Sequence, residues 1–423
     1  MAKKTKSNGK KFEFSKLNEF LSSDVNPIGS LIGENEFIDT KEFISSGIYA
    51  LDALLSTKVL KGGIPNNKVI AIGGQSGTGK TFLTLNFARQ AQMQGYYIIY
   101  IDSEGAIDND LVTKFGMDPS MFRIDPIATV ESLKIYMAKF IKKMEEMRKD
   151  GYELPKVLIC LDSMGNLASN KEVNDAETGS EKQDMTRAKQ LKSIFRIVTH
   201  KLGVLGIPMI LTNHTYMSMD MYPKEIFSGG SGAVYNASIL LMITKAKLKT
   251  GDEDELDLGQ SGIIVTAKTQ KNRLAKPKKV KFEISFNSGA NPYIGLENWC
   301  TVENFEKIGI AKDKMEMIDI VDEETGEVTG TKPGIKSGGI RWYVRHLDKS
   351  LFSKQIHTSK VFTPEVLEAM APILEEYFKY SSAMEQEEIE EKLEEAEKQY
   401  EEHSSIEDVD ADELFSADSD DDK

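Results

Sequence analysis

The run "AIGGQSGTGKT" holds Gly74, Gly79, Lys80 and Thr81 at the spacing G-x-x-x-x-G-K-[ST]. Glycines there let the backbone bend tightly. Successive N–H groups of Gly74, Gln75, Ser76, Gly77, Thr78 and Gly79 can then point at phosphate oxygens. Lys80 can reach the β- and γ-phosphates, Thr81 can offer its hydroxyl to Mg²⁺, and a helix starting here aims its positive end at a triphosphate. ATP with Mg²⁺ is the expected cofactor pair. Acids follow two other strand-like runs. "VLICLDS" puts Asp162 where a metal-side contact fits, and "YYIIYIDSEGAID" carries Asp102 and Glu104. A carboxylate just past a strand end, as Glu104 is, can orient and deprotonate an attacking water. Taken singly, each acid could equally be a polar cap on its strand.

An alternating α/β chain would bring these residues together. Apolar runs of strand length recur at Val69–Ile72, Tyr97–Ile101, Val157–Leu161, Pro208–Thr212 and Ile239–Ile243. Helical candidates lie between them, including Thr81–Gln94, Val130–Lys149 and Asp184–Lys201. This pattern predicts a mostly parallel central sheet flanked by helices, with ligands at the strands' C-terminal ends. Two long polar connections are expected to be loops. "LTNHTYMSMDMYPKEIFSGGSG", Leu211 to Gly232, leaves its strand at Asn213-His214, and Ser169–Asp184 is too polar to bury.

With 423 residues, 40% of them hydrophobic, the chain can bury a sizeable core. We expect an arm over 1–42 with a short helix in "FSKLNEFLSS", the α/β core over 43–300, a small mixed domain over 301–383, and a disordered acidic tail over 384–423. In the small domain "DIVDEETGEVTGTKPG" reads as a polar hairpin or loop and "IRWYVRHLD" as a strand. "TPEVLEAMAPILEEYFKY" reads as a helix with Thr363 as N-cap and Pro364 in first position. Residues 385–423 hold nineteen Asp and Glu against three Lys, a net of −16, whereas the whole chain carries −14, which leaves +2 for residues 1–384. Such a tail either aids solubility or competes with a polyanion for a basic groove. The two cysteines lack a disulfide framework and metal-ligand spacing, so a cytoplasmic setting is expected. No apolar run spans a bilayer and the basic N-terminus lacks an apolar h-region, so neither a membrane partner nor secretion is expected.

These motifs together resemble the RecA-type recombinases, and within them the UvsX recombinases of T-even-type phages. "ISSGIYALDALLS" is similar to the entry segment of that core, "IDSEGAID" to the segment with its catalytic glutamate, and "LDSMGNLASNKE" to its Walker B strand and following loop. "DMTRAKQLKSIFRIVT", "TNHTY", "SGGSGAVYNAS" and "DEETGE" extend the likeness, which is good over residues 40–300 and weaker beyond. The resemblance implies phosphate and Mg²⁺ binding by Lys80, Thr81 and Asp162, and water activation by Glu104. It also implies adenine contact at Asp108, with Leu111 replacing a stacking tyrosine, and γ-phosphate sensing by His214. Lys271 and Arg273 match cations that reach a neighbour's ATP, although a basic surface strand pair is the other reading.

By the same resemblance the two connections are DNA-binding loops. Gly229, Gly230 and Ser231 would meet a phosphate, and Met217 and Phe227 would offer apolar surface to bases, unless these side chains pack on the core or a neighbouring subunit. Arg187, with Lys189 beside it, suits the phosphate backbone. The implied protein is a DNA-dependent ATPase that forms helical filaments on single-stranded DNA and exchanges strands with homologous duplex. A recombination mediator and a single-strand-binding protein would be its partners, in the host bacterial cytoplasm if phage-encoded. A RecA-core hexameric helicase and an ATP-gated DNA-binding scaffold share the core and stay open.

Overall fold

The computed structural model describes residues 14–25, 29, 40–178, 186–217, 225–227, 236–249, 260–321 and 328–381. The chain divides into two units, Met1–Phe378 and Lys379–Lys423, and the fold lies in the first. Helix α1 (Phe14–Phe20) stands in the arm region, and a short pair, β1 (Phe43–Ile44) with β2 (Ile64–Pro65), flanks α2 (Tyr49–Ser56). A ten-stranded sheet follows. Its parallel part comprises β3 (Val69–Gly74), β4 (Tyr97–Asp102), β5 (Phe122–Pro126), β6 (Val157–Asp162), β7 (Met209–Met217) and β9 (Ile239–Lys249), in the order β5-β4-β6-β7-β3-β9. The short β8 (Glu225–Phe227) pairs antiparallel with β7. Antiparallel β10 (Gln260–Asn272), β11 (Lys279–Ser285) and β12 (Gly289–Ala290) extend the edge beyond β9.

The central strands β3, β4 and β6 are apolar along most of their length because both faces are covered, and their side chains alternate between two cores. Ile70, Ile72, Ile98, Tyr100, Leu158 and Cys160 enter the core that holds α2 and the apolar face of α3 (Lys80–Met93). Val69, Ala71, Ile99, Ile101, Ile159 and Leu161 enter the other, under α5 (Val130–Lys149) and α7 (Thr186–Leu205). Helix α5 matches its expected span, α3 is shifted by one residue, and α7 runs four residues past its expected end; Thr129 caps α5 by accepting the Ser132 N–H.

Two expected loops are partly regular. Over Ser169–Asp184 the chain forms α6 (Asn170–Thr178). Ser169 and Glu172 build a reciprocal capping box, with Ser169 Oγ accepting the Glu172 N–H at 3.0 Å and the Glu172 carboxylate accepting the Ser169 N–H at 2.7 Å. The sequence signal S-x-x-E was present and outweighed by the segment's polarity. The other connection does not leave its strand at Asn213: β7 runs on to Met217, because Thr215, Tyr216 and Met217 pair with β8.

Beyond the core lie β13 (Ile310–Val321), β14 (Val328–Val344) and β15 (Lys349–Phe352), an antiparallel sheet, so the expected hairpin is present with longer strands. Helix α8 (Pro364–Phe378) follows, with Thr363 Oγ1 accepting the Val366 N–H. Trp342, Val344, Met370, Leu374 and Phe378 join the same buried cluster as α2. Residues 384–423 lie outside the described residues.

Candidate functional site

The phosphate loop joins the end of β3 to α3, as the motif requires. Gly77 and Gly79 adopt φ of +69° and +91°, which L side chains rarely tolerate. A Cβ at Gly74 would lie 2.6 Å from both Thr78 Oγ1 and the Ile243 carbonyl oxygen. Gln75, Ser76 and Gly77 are exposed at the tip. Lys80 Nζ donates to the carbonyls of Gly74 and Gln75 at 2.8 and 2.9 Å, so the ammonium is held inside the loop's curve.

Register brings the acids beside it. β4 and β6 pair in parallel with Asp102 opposite Asp162, and β3 pairs with β7 so that Gly74 stands opposite His214. Asp162 is buried and accepts from three hydroxyls: Thr81 at 2.7 Å, Tyr100 at 2.6 Å and Thr212. Burial first, then the Asp162 charge, pushes the Tyr100 phenol well above its ordinary range, so it stays a donor. Because Thr81 Oγ1 gives its proton to Asp162, its lone pairs face outward, the orientation a metal ligand needs. Asp102 turns the chain beyond β4 by accepting the N–H groups of Glu104, Gly105 and Ile107 at 2.9, 2.8 and 3.2 Å.

Glu104 is held from two sides. Ser163 Oγ donates to Glu104 Oε1 at 2.8 Å, and His214 Nε2 lies 3.1 Å from the same oxygen. His214 Nδ1 is 3.4 Å from Lys80 Nζ. An ammonium only donates, so Nδ1 is the acceptor and the Nε2–H donates to Glu104; one neutral tautomer satisfies both contacts. A continuous chain therefore runs Lys80–His214–Glu104–Ser163. Ser163 is fixed in turn: Ser103 Oγ accepts its N–H at 2.9 Å and donates to its carbonyl at 2.7 Å.

The donor set fits a magnesium nucleotide. Among the described residues no group of three or more His, Cys, Asp or Glu could hold a metal by itself. That suits Mg²⁺, which takes few protein ligands and relies on phosphate oxygens and water. Lys245, absent from the expected set, reaches over the tip from β9 and donates to the Ser76 carbonyl at 3.1 Å. Beside α3 lies a cavity of about 670 Å³ lined by Phe82, Arg89, Lys114, Phe115 and Phe286, with Phe286 63% exposed. Asp108 N-caps α4 (Asn109–Lys114), accepting the Leu111 N–H at 2.8 Å, and Leu111 is partly buried on the core.

The expected DNA residues divide. Arg187 is not open for phosphate: its guanidinium donates to the carbonyls of Met164, Gly165 and Leu167, bracing the turn after β6. Among the described residues, the exposed cations at helical spacing on α7 include Lys189, Lys192 and Arg196, on a helix that contains no Asp or Glu. Their signal was this acid-free periodicity. Phe227 is likewise corrected: it is 7% exposed and belongs to the core under α7, so it presents no surface to bases. Gly229, Gly230 and Ser231 lie outside the described residues, and of Met217 only the backbone is described. Lys271 stands on β10 and Arg273 just past its end, with Lys271 Nζ donating to the Ala237 carbonyl at 2.7 Å. Burial, then the Arg273 charge, lowers the Lys271 ammonium from its ordinary range.

Comparison with known proteins agrees with this geometry. The family model described as "RecA N-terminal domain" matches residues 28–291. A "Recombination and repair protein" of Enterobacteria phage T4 is 30% identical over 296 residues, covering 70% of this chain and 72% of that protein. "Protein RecA" of Treponema denticola is 28% identical over 274 residues, 63% of this chain and 61% of the relative. A mitochondrial "DNA repair protein recA homolog 3" of Arabidopsis thaliana is 27% identical over 253 residues, 58% and 54% respectively.

Proposed function

Because this chain belongs to the RecA family, we propose that it is a DNA-dependent ATPase that polymerises on single-stranded DNA and catalyses homologous pairing and strand exchange. The observation that carries the reading is the Lys80–His214–Glu104–Ser163 chain, which would tie a phosphate ligand to a water-activating carboxylate through a residue of the strand that leads into a DNA loop.

The loop's N–H groups and Lys80 bind the triphosphate, and Thr81, oriented by Asp162, would hold Mg²⁺. When bound, that ion supplies positive charge to the phosphate oxygens. The aromatic cavity beside α3 would take the base, with Phe286 and Phe82 as its faces, and Asp108 would contact adenine as the family resemblance implies. Glu104 Oε1 orients the attacking water and takes its proton, while Ser163 and His214 keep that oxygen aimed. Once Lys80 turns to phosphate, His214 Nδ1 loses its donor, and a sensing contact to the γ-phosphate would need the ring nitrogen that faces it to carry the N–H. His214 lies on the strand that leads into the second loop, so hydrolysis and loop order become linked.

DNA would lie along the acid-free face of α7, gripped by Lys189, Lys192 and Arg196, with Gly229, Gly230, Ser231 and Met217 from the second loop. Lys271 and Arg273 would reach a neighbour's phosphates, Lys271 exchanging the Ala237 carbonyl for that contact. Residues 1–42 would dock on the adjacent copy, 301–383 would form a small C-terminal domain, and 384–423 an acidic tail. A mediator and a single-strand-binding protein would act with it, in the cytoplasm. Among the described residues no helix is long and apolar enough to cross a membrane.

A three-strand exchange assay on circular single strand and linear duplex tests the reading. Joint molecules formed with ATP and without a fork support it; unwinding of forked substrates alone, or binding with neither, contradicts it.

A further inference from the structure

Gly73 precedes the phosphate-binding motif and is not demanded by it. Its position is nevertheless closed to any side chain. A Cβ there would lie 2.4 Å from Phe227 Cζ, 2.7 Å from Phe227 Cε1 and 2.9 Å from Met242 Sδ. In the sheet Gly73 stands opposite Asn213 on β7 and Met242 on β9. Phe227, on β8, pairs with Thr215, the residue after His214. The ring thus comes from the returning limb of the His214 connection and seals onto the strand that ends in the phosphate loop.

We propose that Phe227 is a positioning residue whose ring, seated on Gly73, tethers the far limb of the second DNA loop to the phosphate-loop strand and couples DNA binding to nucleotide binding. This rests on the reading under Proposed function. Through His214 alone, the connection would be tied to the nucleotide at its first limb only. With Phe227, a second point of the connection is fixed to the phosphate strand as well, through β8 and the Gly73 contact. Close-packed contacts transmit small displacements, because a ring cannot move off a backbone without opening a void. Gly73 is the matching half: any larger residue would push the ring out.

A base-stacking role for Phe227 makes a different demand. Stacking tolerates Phe and Tyr alike. A ring whose para carbon already occupies the space a Gly73 Cβ would need has no room for the oxygen that Tyr adds there. The test uses the full chain and a labelled oligo-dT, with single-stranded DNA affinity measured with and without a non-hydrolysable ATP analogue. The ratio of the two affinities is the coupling. Phe227→Tyr and Phe227→Ala should each shrink that ratio by about tenfold, and Phe227→Leu, which keeps an apolar contact, by about threefold or less. Thermal melts report folding, and the Tyr and Leu variants decide the matter should Ala unfold the chain. A full ratio in the Tyr variant overturns the tether, as does an undiminished ratio in all three. A wild-type ratio of one overturns the proposed function and this inference with it.

Discussion

Each residue of the Lys80–His214–Glu104–Ser163 chain does a separable job, so their replacements should fail differently. Lys80→Ala removes the cation inside the loop and should abolish ATP-dependent DNA binding; nucleotide titration with a fluorescent analogue reads the loss. Glu104→Gln keeps shape and removes the base. Hydrolysis should fall by about a hundredfold or more while ATP-bound complexes on DNA persist. Ser163→Ala leaves both, but Glu104 loses a donor, so kcat should drop by about tenfold with nucleotide affinity unchanged; an equal loss in affinity would place Ser163 in binding instead. Lys80, Thr81, Glu104 and Asp162 were legible because motif spacing marks them. Ser163 and Ser103 were not, since a serine beside an aspartate is common. The available signal was that Asp-Ser ends both β4 and β6, and only the register that sets Asp102 opposite Asp162 gives it meaning.

At the scale of elements, α7 decides how DNA is held. Replacing Lys189, Lys192 and Arg196 together by Ala should flatten the salt dependence of single-strand binding, lowering the log–log slope by about two. Arg187→Ala should act differently. It strands carbonyls of Met164–Leu167, so the fold should lose about 1–3 kcal/mol, seen as a lower Tm with little change in that slope. The start of α2 gives a pH-dependent case. Asp52 accepts from Ser45 and from the Ser46 N–H and hydroxyl, yet burial pushes its carboxyl up to about 6 from an ordinary 3.8. A raised value means the folded state holds the proton more tightly than the unfolded chain. Its stabilising effect is therefore complete below pH 3.8 and lost as pH rises to about 6, a difference of about 3 kcal/mol. Asp52→Asn should gain Tm relative to wild type between pH 4 and 6; a constant difference would place the proton elsewhere. Long periodic elements such as α5 were readable from sequence. α6 and the far end of β7 were not, because a capping box and a strand pairing outweighed polar composition.

The whole molecule is a nearly neutral body with an acidic C-terminal segment, and its proposed work needs copies in contact. Removing residues 385–423 should strengthen duplex DNA binding at low salt if that segment competes for a basic groove, and unchanged affinity would leave it a solubiliser. Changing Lys271 or Arg273 should cut DNA-stimulated hydrolysis while sparing nucleotide binding by single copies. The mostly parallel sheet with covered faces was legible in the recurring apolar runs, whereas the strand order and the placing of Phe227 on Gly73 depended on segments far apart in sequence and showed in none of them. The dependence of DNA grip on nucleotide shared between neighbouring copies is tested most directly by imaging the purified chain with single-stranded DNA, with and without a non-hydrolysable ATP analogue. Continuous helical filaments that require the analogue are expected. Single copies under both conditions, or identical coating without nucleotide, would contradict it.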